Sequence, residues 1–249
     1  MMKLFHGWLS SASRRVRLCL AEKGMAYESV AIDMGRQEHH SPAFLAMNPN
    51  GVVPALMLAP GRFLHESSTI CEYLDEIQPR PPLRPEDPYE RAVMRNFVRW
   101  TDEHCLPHLL ILNWSLALQP TASQWSDDEL QAKLARIPTA ERREAWLRIA
   151  RRPYTEEEKT AALDKLLRLP ARMEDMLADG PWLVGGRYSL ADIAAAPFVA
   201  RLAELAPQAL AAGTHPRVQA WWQAMQQRPA FAAARLERFD AVLAARAAA

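Results

Sequence analysis

The 249-residue chain lacks an excess of either charge, since 30 lysines and arginines stand against 29 aspartates and glutamates. A formal net charge of +1 gives no broad basic surface, which disfavours nucleic acid as the main partner. Cysteines are also few: Cys19, Cys71 and Cys105, with no CxxC pair. This scarcity leaves no basis for a disulfide framework or a zinc site, so we expect no metal and a reducing, cytoplasmic setting.

Long apolar runs are missing as well. No segment offers about 18 uninterrupted apolar residues, the length that a membrane-spanning helix needs. The opening MMKLFHGWLS is too short and too polar for a secretory signal peptide, so we expect no membrane contact. With 49% hydrophobic and 24% charged residues, the composition is that of a packed globular protein with one large domain or two smaller ones.

A proline-rich stretch, QPRPPLRPEDP, divides the chain. Proline fixes φ and removes a backbone donor, so neither a helix nor a central strand persists between Pro79 and Pro88. We interpret residues 80–88 as a linker between a domain at 1–79 and a second domain at 89–249.

The first domain alternates strand and helix patterns. Its first helix pattern carries an apolar stripe of Val16, Cys19 and Leu20, with Gly24 placed as a C-terminal cap. The order β-α-β-(α)-β-β-α predicts an α/β domain. Strands are expected at residues 3–6, 28–34, 54–58 and 63–65, and helices at 13–23 and over Ile70, Leu74 and Ile77.

Strand patterns stop after the linker, which predicts an all-helical second domain. Residues 89–119 predict a long helix that is broken near Pro107, and residues 215–228 predict the last helix. Three capping boxes open further helices: Ser126-x-x-Glu129, Thr155-x-x-Glu158 and Ser189-x-x-Asp192.

Three features of the first domain suit a bound ligand. Ser10, Ser11 and Ser13 lie where the first strand meets the first helix, near unpaired N–H groups and the positive end of the helix dipole, which favours an anion. Val53-Pro54 begins a strand, and a cis bond there would turn the Val53 backbone towards a peptide-like ligand. An N-cap serine and an ordinary edge-strand proline are the structural alternatives.

The third feature is the segment Glu66-Ser67-Ser68-Thr69 at the start of an apolar helix. A helix start suits a carboxylate, and Glu66 can bind an ammonium group beside it, although a simple helix cap is the alternative. Together the three features imply a ligand with a carboxylate and an amine at one end, a backbone-like middle and an anionic group near Ser10.

Four motifs together resemble those of a glutathione transferase: SSASRRVRLCLAEKGMAYE, HHSPAFLAMNPNGVVPALM, ESSTICEYLDEI and WLVGGRYSLADIAAAPFVARL. They extend over both domains, and their order and spacing make the resemblance specific. It implies a thioredoxin-like N-terminal domain, a helical C-terminal domain, glutathione as cosubstrate and a homodimer.

The resemblance assigns to Ser10 the hydroxyl that stabilises the glutathione thiolate, with Ser11 and Ser13 as alternatives in the same serine run. A free thiol with a pKa of about 8.5 is only slightly ionised at neutral pH, although the thiolate is the nucleophile. Lowering that pKa by about two units takes roughly 2.7 kcal/mol, within reach of one Ser O–H···S⁻ hydrogen bond and a helix N-terminus.

The resemblance also implies how the peptide parts of glutathione bind. The Val53 backbone would pair with the cysteinyl part, and Pro54 would be the cis proline. Glu66 with Ser67 would hold the γ-glutamyl end.

Two further residues belong to this expected glutathione site. His40 stands where relatives often have a lysine for the glycine carboxylate, so its charge would depend on pH. Asp102 is a weaker candidate, because in some relatives an acid in this helix reaches across a dimer to the γ-glutamyl end.

The electrophile site is expected between the domains, beside the loop at Trp8 and Leu9. The first helix after the linker and its continuation add Trp100, His104, His108, Leu110, Leu112 and Trp114. Such a pocket suits an aromatic or otherwise hydrophobic electrophile, but Trp and Leu at helical spacing are usually core residues.

Residues from about 120 to 167 are surplus to a compact member of the family and are interpreted as added helices over the domain cleft. This insertion and the variant ESSTICEYLDEI resemble the bacterial enzymes that cleave β-aryl ethers in lignin breakdown. In that reaction the glutathione thiolate displaces a phenolate from the carbon beside a ketone.

Other functions stay open. SSASRRVR is also similar to the serine motif of zeta-class transferases, the maleylacetoacetate isomerases, but Ala12 stands where these typically have a cysteine. Reductive dehalogenation usually relies on a cysteine near the helix start, whereas Cys19 lies inside the predicted helix. A general conjugating transferase and a glutathione-binding module without turnover are further alternatives.

Overall fold

Four strands form one mixed sheet in the first part of the chain. They are β1 Lys3–His6, β2 Glu28–Ala31, β3 Ala55–Ala59 and β4 Arg62–His65. The strand order is β2-β1-β3-β4, with β1 parallel to β2 and β3 antiparallel to both β1 and β4. The structure is a computed structural model that describes residues 1–236, 238, 239 and 241.

Three helices complete this α/β domain: α1 Ser11–Glu22, α2 Pro42–Met47 and α3 Ser67–Ile77. The predicted order of strands and helices is confirmed, and the predicted stripe of Val16, Cys19 and Leu20 is fully buried. Gly24 follows α1 with a φ of 61°, the left-handed conformation expected of a residue that ends a helix.

The second strand is shorter than predicted. The prediction extended it to residue 34, but the chain turns after Ala31 because the Asp33 carboxylate accepts two backbone N–H groups. These belong to Gly35 at 2.8 Å and Arg36 at 3.1 Å. The turn places Ile32 and Met34 at the cavity described below.

The proline-rich segment contains neither helix nor strand between residues 78 and 87, as predicted, and Pro88 is the first residue of the next helix. This segment is held tightly by the buried carboxylate of Asp75. Its oxygens accept hydrogen bonds from Lys23 Nζ at 2.5 Å, Leu83 N at 2.9 Å and Arg84 Nε at 2.7 Å. The connection between the domains is therefore fixed to the first domain.

The rest of the described chain is helical, which confirms the prediction for the second domain. Its helices are α4 Pro88–His104, α5 Leu106–Ala117, α6 Gln119–Ala122, α7 Asp127–Leu134, α8 Ala140–Arg151, α9 Glu156–Leu166, α10 Arg168–Met176, α11 Leu190–Leu205, α12 Pro216–Gln226 and α13 Pro229–Ala233. Residues 237, 240 and 242–249 of the predicted second domain lie outside the described residues.

Prolines and capping boxes in the sequence correctly predicted where several of these helices begin. The long helix predicted at 89–119 is broken at Cys105, and Pro107 lies in the first turn of α5, where its missing N–H leaves no donor unpaired. All three predicted capping boxes form, at α7, α9 and α11. Within the described part of the chain, no helix has the length and apolarity to cross a membrane.

The buried apolar residues form a main core, a second cluster and a small third cluster of Phe44, Val53 and Ala55. The main core joins the domains, because α1 and α3 pack against α11. The second cluster contains Trp114, Leu118, Ala122, Leu130, Leu134, Ile137, Trp146, Ile149 and Ala150. The segment predicted as an insertion, 120–167, is thus divided: α7 and α8 build the second cluster, whereas α9 places Leu166 in the main core.

Candidate active site

A cavity opens where the start of α1 faces one side of α5. The first domain supplies one side, here called the first wall, with Gly7, Trp8, Leu9, Ser10, Ser11, Ala12, Ile32, Met34, Val52 and Val53. The helical domain supplies the second wall, with Leu106, Leu109, Leu110, Asn113, Trp114, Ala117, Leu118, Arg142 and Phe239. Most of these side chains are apolar, so the cavity suits an apolar ligand beside a helix N-terminus.

Ser10 is the N-cap of α1 and lies at the cavity. Its Oγ accepts the Ser13 N–H at 3.2 Å, which leaves the hydroxyl proton available to an anion in the cavity. The backbone N–H groups of Ser11 and Ala12 have no hydrogen-bond partner among the described residues. These donors and the α1 dipole together suit a thiolate.

Ser13 does not line this cavity. Its side chain is fully buried, and its Oγ accepts the Gly7 N–H at 3.2 Å. Ser13 is therefore removed as a candidate donor to the thiolate, because its hydroxyl stabilises the loop behind Ser10. Ser11, also expected as an alternative, does line the cavity.

A buried pair, His6 and Arg17, fixes the loop between β1 and α1. Arg17 Nη1 donates to His6 Nδ1 over 3.2 Å, so Nε2 carries the ring proton and donates to Ser29 Oγ over 2.7 Å. Burial and the Arg17 charge lower the pKa of His6 to about 4. Arg17 also donates to the carbonyl groups of Gly7 at 3.4 Å and Trp8 at 3.3 Å. His6 is thus a neutral structural residue at neutral pH.

The Val53-Pro54 bond is cis, as the resemblance implied, and it precedes β3. The backbone N–H and C=O groups of Val53 make no hydrogen bond with any described residue. Gly7 lets the two parts of the first wall come close: a Cβ on it would lie 3.3 Å from Met34 Cγ and 3.5 Å from Ser10 Cβ and Val53 Cγ2. The binding role of Val53 stays a prediction.

Arg15 connects the expected γ-glutamyl end to α4. Its Nη1 donates to Ser67 Oγ at 3.2 Å, and its Nη2 lies 2.8 Å from Asp102 Oδ1 and 3.3 Å from Thr101 Oγ1. The exposed Glu66, with a φ of 69°, precedes Ser67 at the start of α3. Asp102 therefore has an ion-pair partner in its own chain, close to the site that the resemblance assigned to it.

His40 does not lie at the cavity and does not carry the expected charge. Its ring is 1% exposed and lies 3.9 Å from the His39 ring and 6.2 Å from that of Trp146 in α8. Burial, together with the Arg142 charge, lowers its pKa to about 4, while a weaker effect of the Gly51 backbone opposes this. The expectation of a charge that changes near neutral pH is wrong, because α8 covers a neutral imidazole.

The expected substrate pocket is present in part. Trp8, Leu9 and Trp114 line the cavity, as does Leu110, whereas Leu112 packs against the main core. The α5 residues of the second wall follow a helical period from 106 to 117, so one face of this helix is turned to the cavity. Contact of these residues with a substrate stays a prediction.

Trp100, His104 and His108 do not line the cavity, contrary to the expectation. Trp100 stacks on His104 with ring centroids 5.3 Å apart, and the Arg172 guanidinium covers it at 4.7 Å. His108 lies on a different side of α5 from the second wall, where burial and nearby cations such as Lys165 lower its pKa. Helical spacing alone could not show which face of α4 and α5 would meet the cavity.

Three polar or aromatic residues of the second wall were not predicted from the sequence. Arg142 belongs to a densely charged stretch that is typical of a solvated helix face, and Phe239 follows the last predicted helix. Asn113 is a polar residue in an otherwise apolar helix, which was a usable signal; it accepts a hydrogen bond from Arg201 Nε at 2.9 Å. Phe239 is held by its backbone N–H, which donates to Glu204 Oε1 at 3.0 Å.

Two family models match the chain. Residues 4–82 match the family described as Glutathione S-transferase, N-terminal domain, and residues 138–229 match the Glutathione S-transferase, C-terminal domain. The Protein LigF of Sphingobium sp. strain SYK-6 is 34% identical over 195 residues, which cover 77% of this chain and 75% of that protein.

Solved structures agree with this match. The crystal structure of beta-etherase LigF from Sphingobium sp. strain SYK-6 has a TM-score of 0.85 and 31% identity, and the match covers 94% of this chain and 98% of that one. A maleylacetoacetate isomerase from Methylobacterium extorquens AM1, with bound malonate and glutathione, has a TM-score of 0.66 and 26% identity, with 95% and 97% covered.

Proposed function

Because this chain belongs to the glutathione S-transferase family and uses glutathione as its cosubstrate, we propose that it cleaves β-aryl ethers. The observation that carries this proposal is the composition of the cavity. Ser10 and free N–H groups lie on the first wall, and Trp114 and Phe239 lie on the second. This lining suits an aromatic electrophile, whose reacting carbon would face the thiolate on the first wall. The likeness to beta-etherase LigF supports the same substrate class.

The first wall would bind glutathione as the sequence predicted. The Ser10 hydroxyl donates to the sulfur, and the unpaired backbone groups of Val53 pair with the cysteinyl part. Glu66 and Ser67 hold the γ-glutamyl end, with Arg15 and Asp102 beside them.

The reaction is a substitution at the carbon that bears the aryloxy group beside a ketone. The thiolate forms a C–S bond as the C–O bond breaks, and the electron pair of that bond leaves with the phenolate oxygen. The phenolate takes up one proton, equal to the proton that the thiol released. The residues at the cavity therefore need only to stabilise the thiolate and position the electrophile.

An aryl-ether ketone with a fluorescent phenol tests this function. Release of the phenol should require glutathione, and mass spectrometry should find one thioether product for each phenol released. An enzyme concentration series without any release would show that β-aryl ethers are not the substrate.

A second candidate is isomerisation of the maleylacetoacetate type, favoured by the motif SSASRRVR and the likeness to a maleylacetoacetate isomerase. Such an enzyme would convert maleylacetone without consuming glutathione. A general conjugating transferase would accept simple aryl halides, and a binding module would retain glutathione but fail every turnover assay.

Homodimer formation and a cytoplasmic location are part of the proposal as well. Both come from the sequence, the first through the resemblance and the second through the scarce, unpaired cysteines. Light scattering after gel filtration would give twice the 28.1 kDa chain mass for a dimer.

A further inference from the structure

Arg142 is a cation at the cavity that pairs with no described residue. It lies near the start of α8 and lines the same cavity as Ser10 and Val53. Its backbone N–H donates to Thr139 Oγ1, and its guanidinium makes no hydrogen bond and no ion pair with any residue that the structure describes. Burial lowers its pKa, and the Glu66 carboxylate opposes this effect from a distance. A half-buried arginine in this state is suited to an anionic ligand.

Several buried polar atoms near Arg142 also lack partners among the described residues. They are Nδ1 of His39, both ring nitrogens of His40 and Nε1 of Trp146. Arg142 acts electrostatically on both histidines, and Trp146 lies one turn further along α8. Buried polar atoms in proteins are nearly always hydrogen-bonded, so ordered water molecules are expected to complete this network beside Arg142.

The start of α8 is packed firmly on this part of the first domain. Gly51 has a φ of 60°, and a Cβ on it would lie 2.9 Å from His40 Cδ2 and 3.2 Å from Pro138 Cδ. Arg143 Nη1 closes the loop before α8 by donating to Ile137 O at 2.7 Å and Pro138 O at 3.2 Å. The position of Arg142 relative to the segment before Val53 is therefore well defined.

We infer that Arg142 binds the glycine carboxylate of glutathione, the role that the resemblance assigned to His40. This inference rests on glutathione binding at the first wall. With the cysteinyl part on Val53 and the γ-glutamyl end on Glu66 and Ser67, the glycine carboxylate is the remaining charged group. The neutral His40 offers it no positive charge, whereas Arg142 does. The segment of α7 and α8 thus contributes to cosubstrate binding as well as to the substrate pocket.

A comparison of glutathione with its glycine monoethyl ester tests the inference, because esterification removes the glycine carboxylate charge and adds only a small ethyl group. Titration calorimetry without electrophile should show that the native enzyme prefers glutathione by roughly 10- to 100-fold, the usual worth of a charge-assisted pair. Arg142→Met should weaken the binding of glutathione by that factor and leave the affinity for the ester unchanged. Arg142→Lys should restore part of the preference.

Arg152→Met is the matched control, since Arg152 is the C-cap residue that follows α8 and its exposed side chain pairs with Glu144 at 2.8 Å. It should keep the native preference. An Arg142→Met enzyme that keeps the preference, or that loses both ligands equally, would overturn the inference. Binding and turnover are measured separately, so an enzyme with the expected preference but no ether cleavage would contradict the proposed function alone.

Discussion

The first wall of the cavity presents backbone groups and hydroxyls to a ligand, whereas the second wall presents side chains from distant parts of the helical domain. The N–H groups of Ser11 and Ala12 and the backbone of Val53 are all positioned by β1, α1 and β3. Arg142 and Phe239 come instead from helix α8 and from the segment after α13.

This difference suggests that the two walls have different binding functions. Backbone groups do not change with substitution, so the first wall can bind the same cosubstrate while its side chains other than Ser10 vary. Side chains on α5 can change one at a time, so this helix can adapt to different electrophiles, whereas Arg142 of α8 adds a positive charge for the cosubstrate.

Replacement of Ser10 tests whether any side chain of the first wall is essential. Ser10→Ala removes the hydroxyl donor, so the pKa of the bound thiol should rise by about 1 to 2 units and kcat/KM at neutral pH should fall by about 10- to 100-fold. The ultraviolet absorbance of the thiolate, followed against pH, measures the pKa. An unchanged titration would mean that the backbone N–H groups alone stabilise the thiolate, which would strengthen the contrast between the two walls.

Acidification tests the contact between the two domains at the point where α8 covers His40. The folded pKa of about 4 lies below the ordinary 6.5, so the unfolded chain binds a proton first as the pH falls. The stability that the neutral ring provides is complete above about pH 6.5 and is lost towards pH 4. At pH 5 the loss is about 2 kcal/mol.

Urea unfolding of the native chain and of His40→Gln at pH 7 and pH 5 measures this effect. The variant should lose less stability on acidification, because a glutamine side chain does not titrate. Equal losses would mean that the cover over His40 opens readily and that the two regions are less firmly joined than the structure shows.

A pair of tryptophans tests the second wall. Trp114 lines the cavity, whereas Trp100 is stacked away from it. Trp114→Leu should raise KM for an aromatic electrophile by about 3- to 10-fold, the worth of an aromatic contact. Trp100→Leu should leave that KM unchanged, and neither variant should alter KM for glutathione. A rise in KM for glutathione with Trp114→Leu would contradict the separation between the walls.

The same contrast explains which features of the site could be predicted from the sequence and which could not. The capping box at Asp192 depends on neighbours within a few residues, and the local pattern was enough to find it. The cis bond at Pro54 was implied by the family resemblance, because the local pattern left an ordinary proline equally open. His40 was misjudged because its charge depends on α8, about one hundred residues away in sequence, which buries it. Arg142 was missed for the same reason, since a charged helix face gives no local sign of whether another domain covers it.

The smallest expected effect comes from Ser11, the remaining alternative for the thiolate donor. Its hydroxyl lies at the cavity, but the group that the first wall needs from this position is the backbone N–H, which alanine keeps. Ser11→Ala should therefore change kcat/KM by less than about twofold, within the range of neutral substitutions. A tenfold loss together with a raised thiol pKa would place the essential hydroxyl on Ser11, and Ser10 would then be only the N-cap of α1.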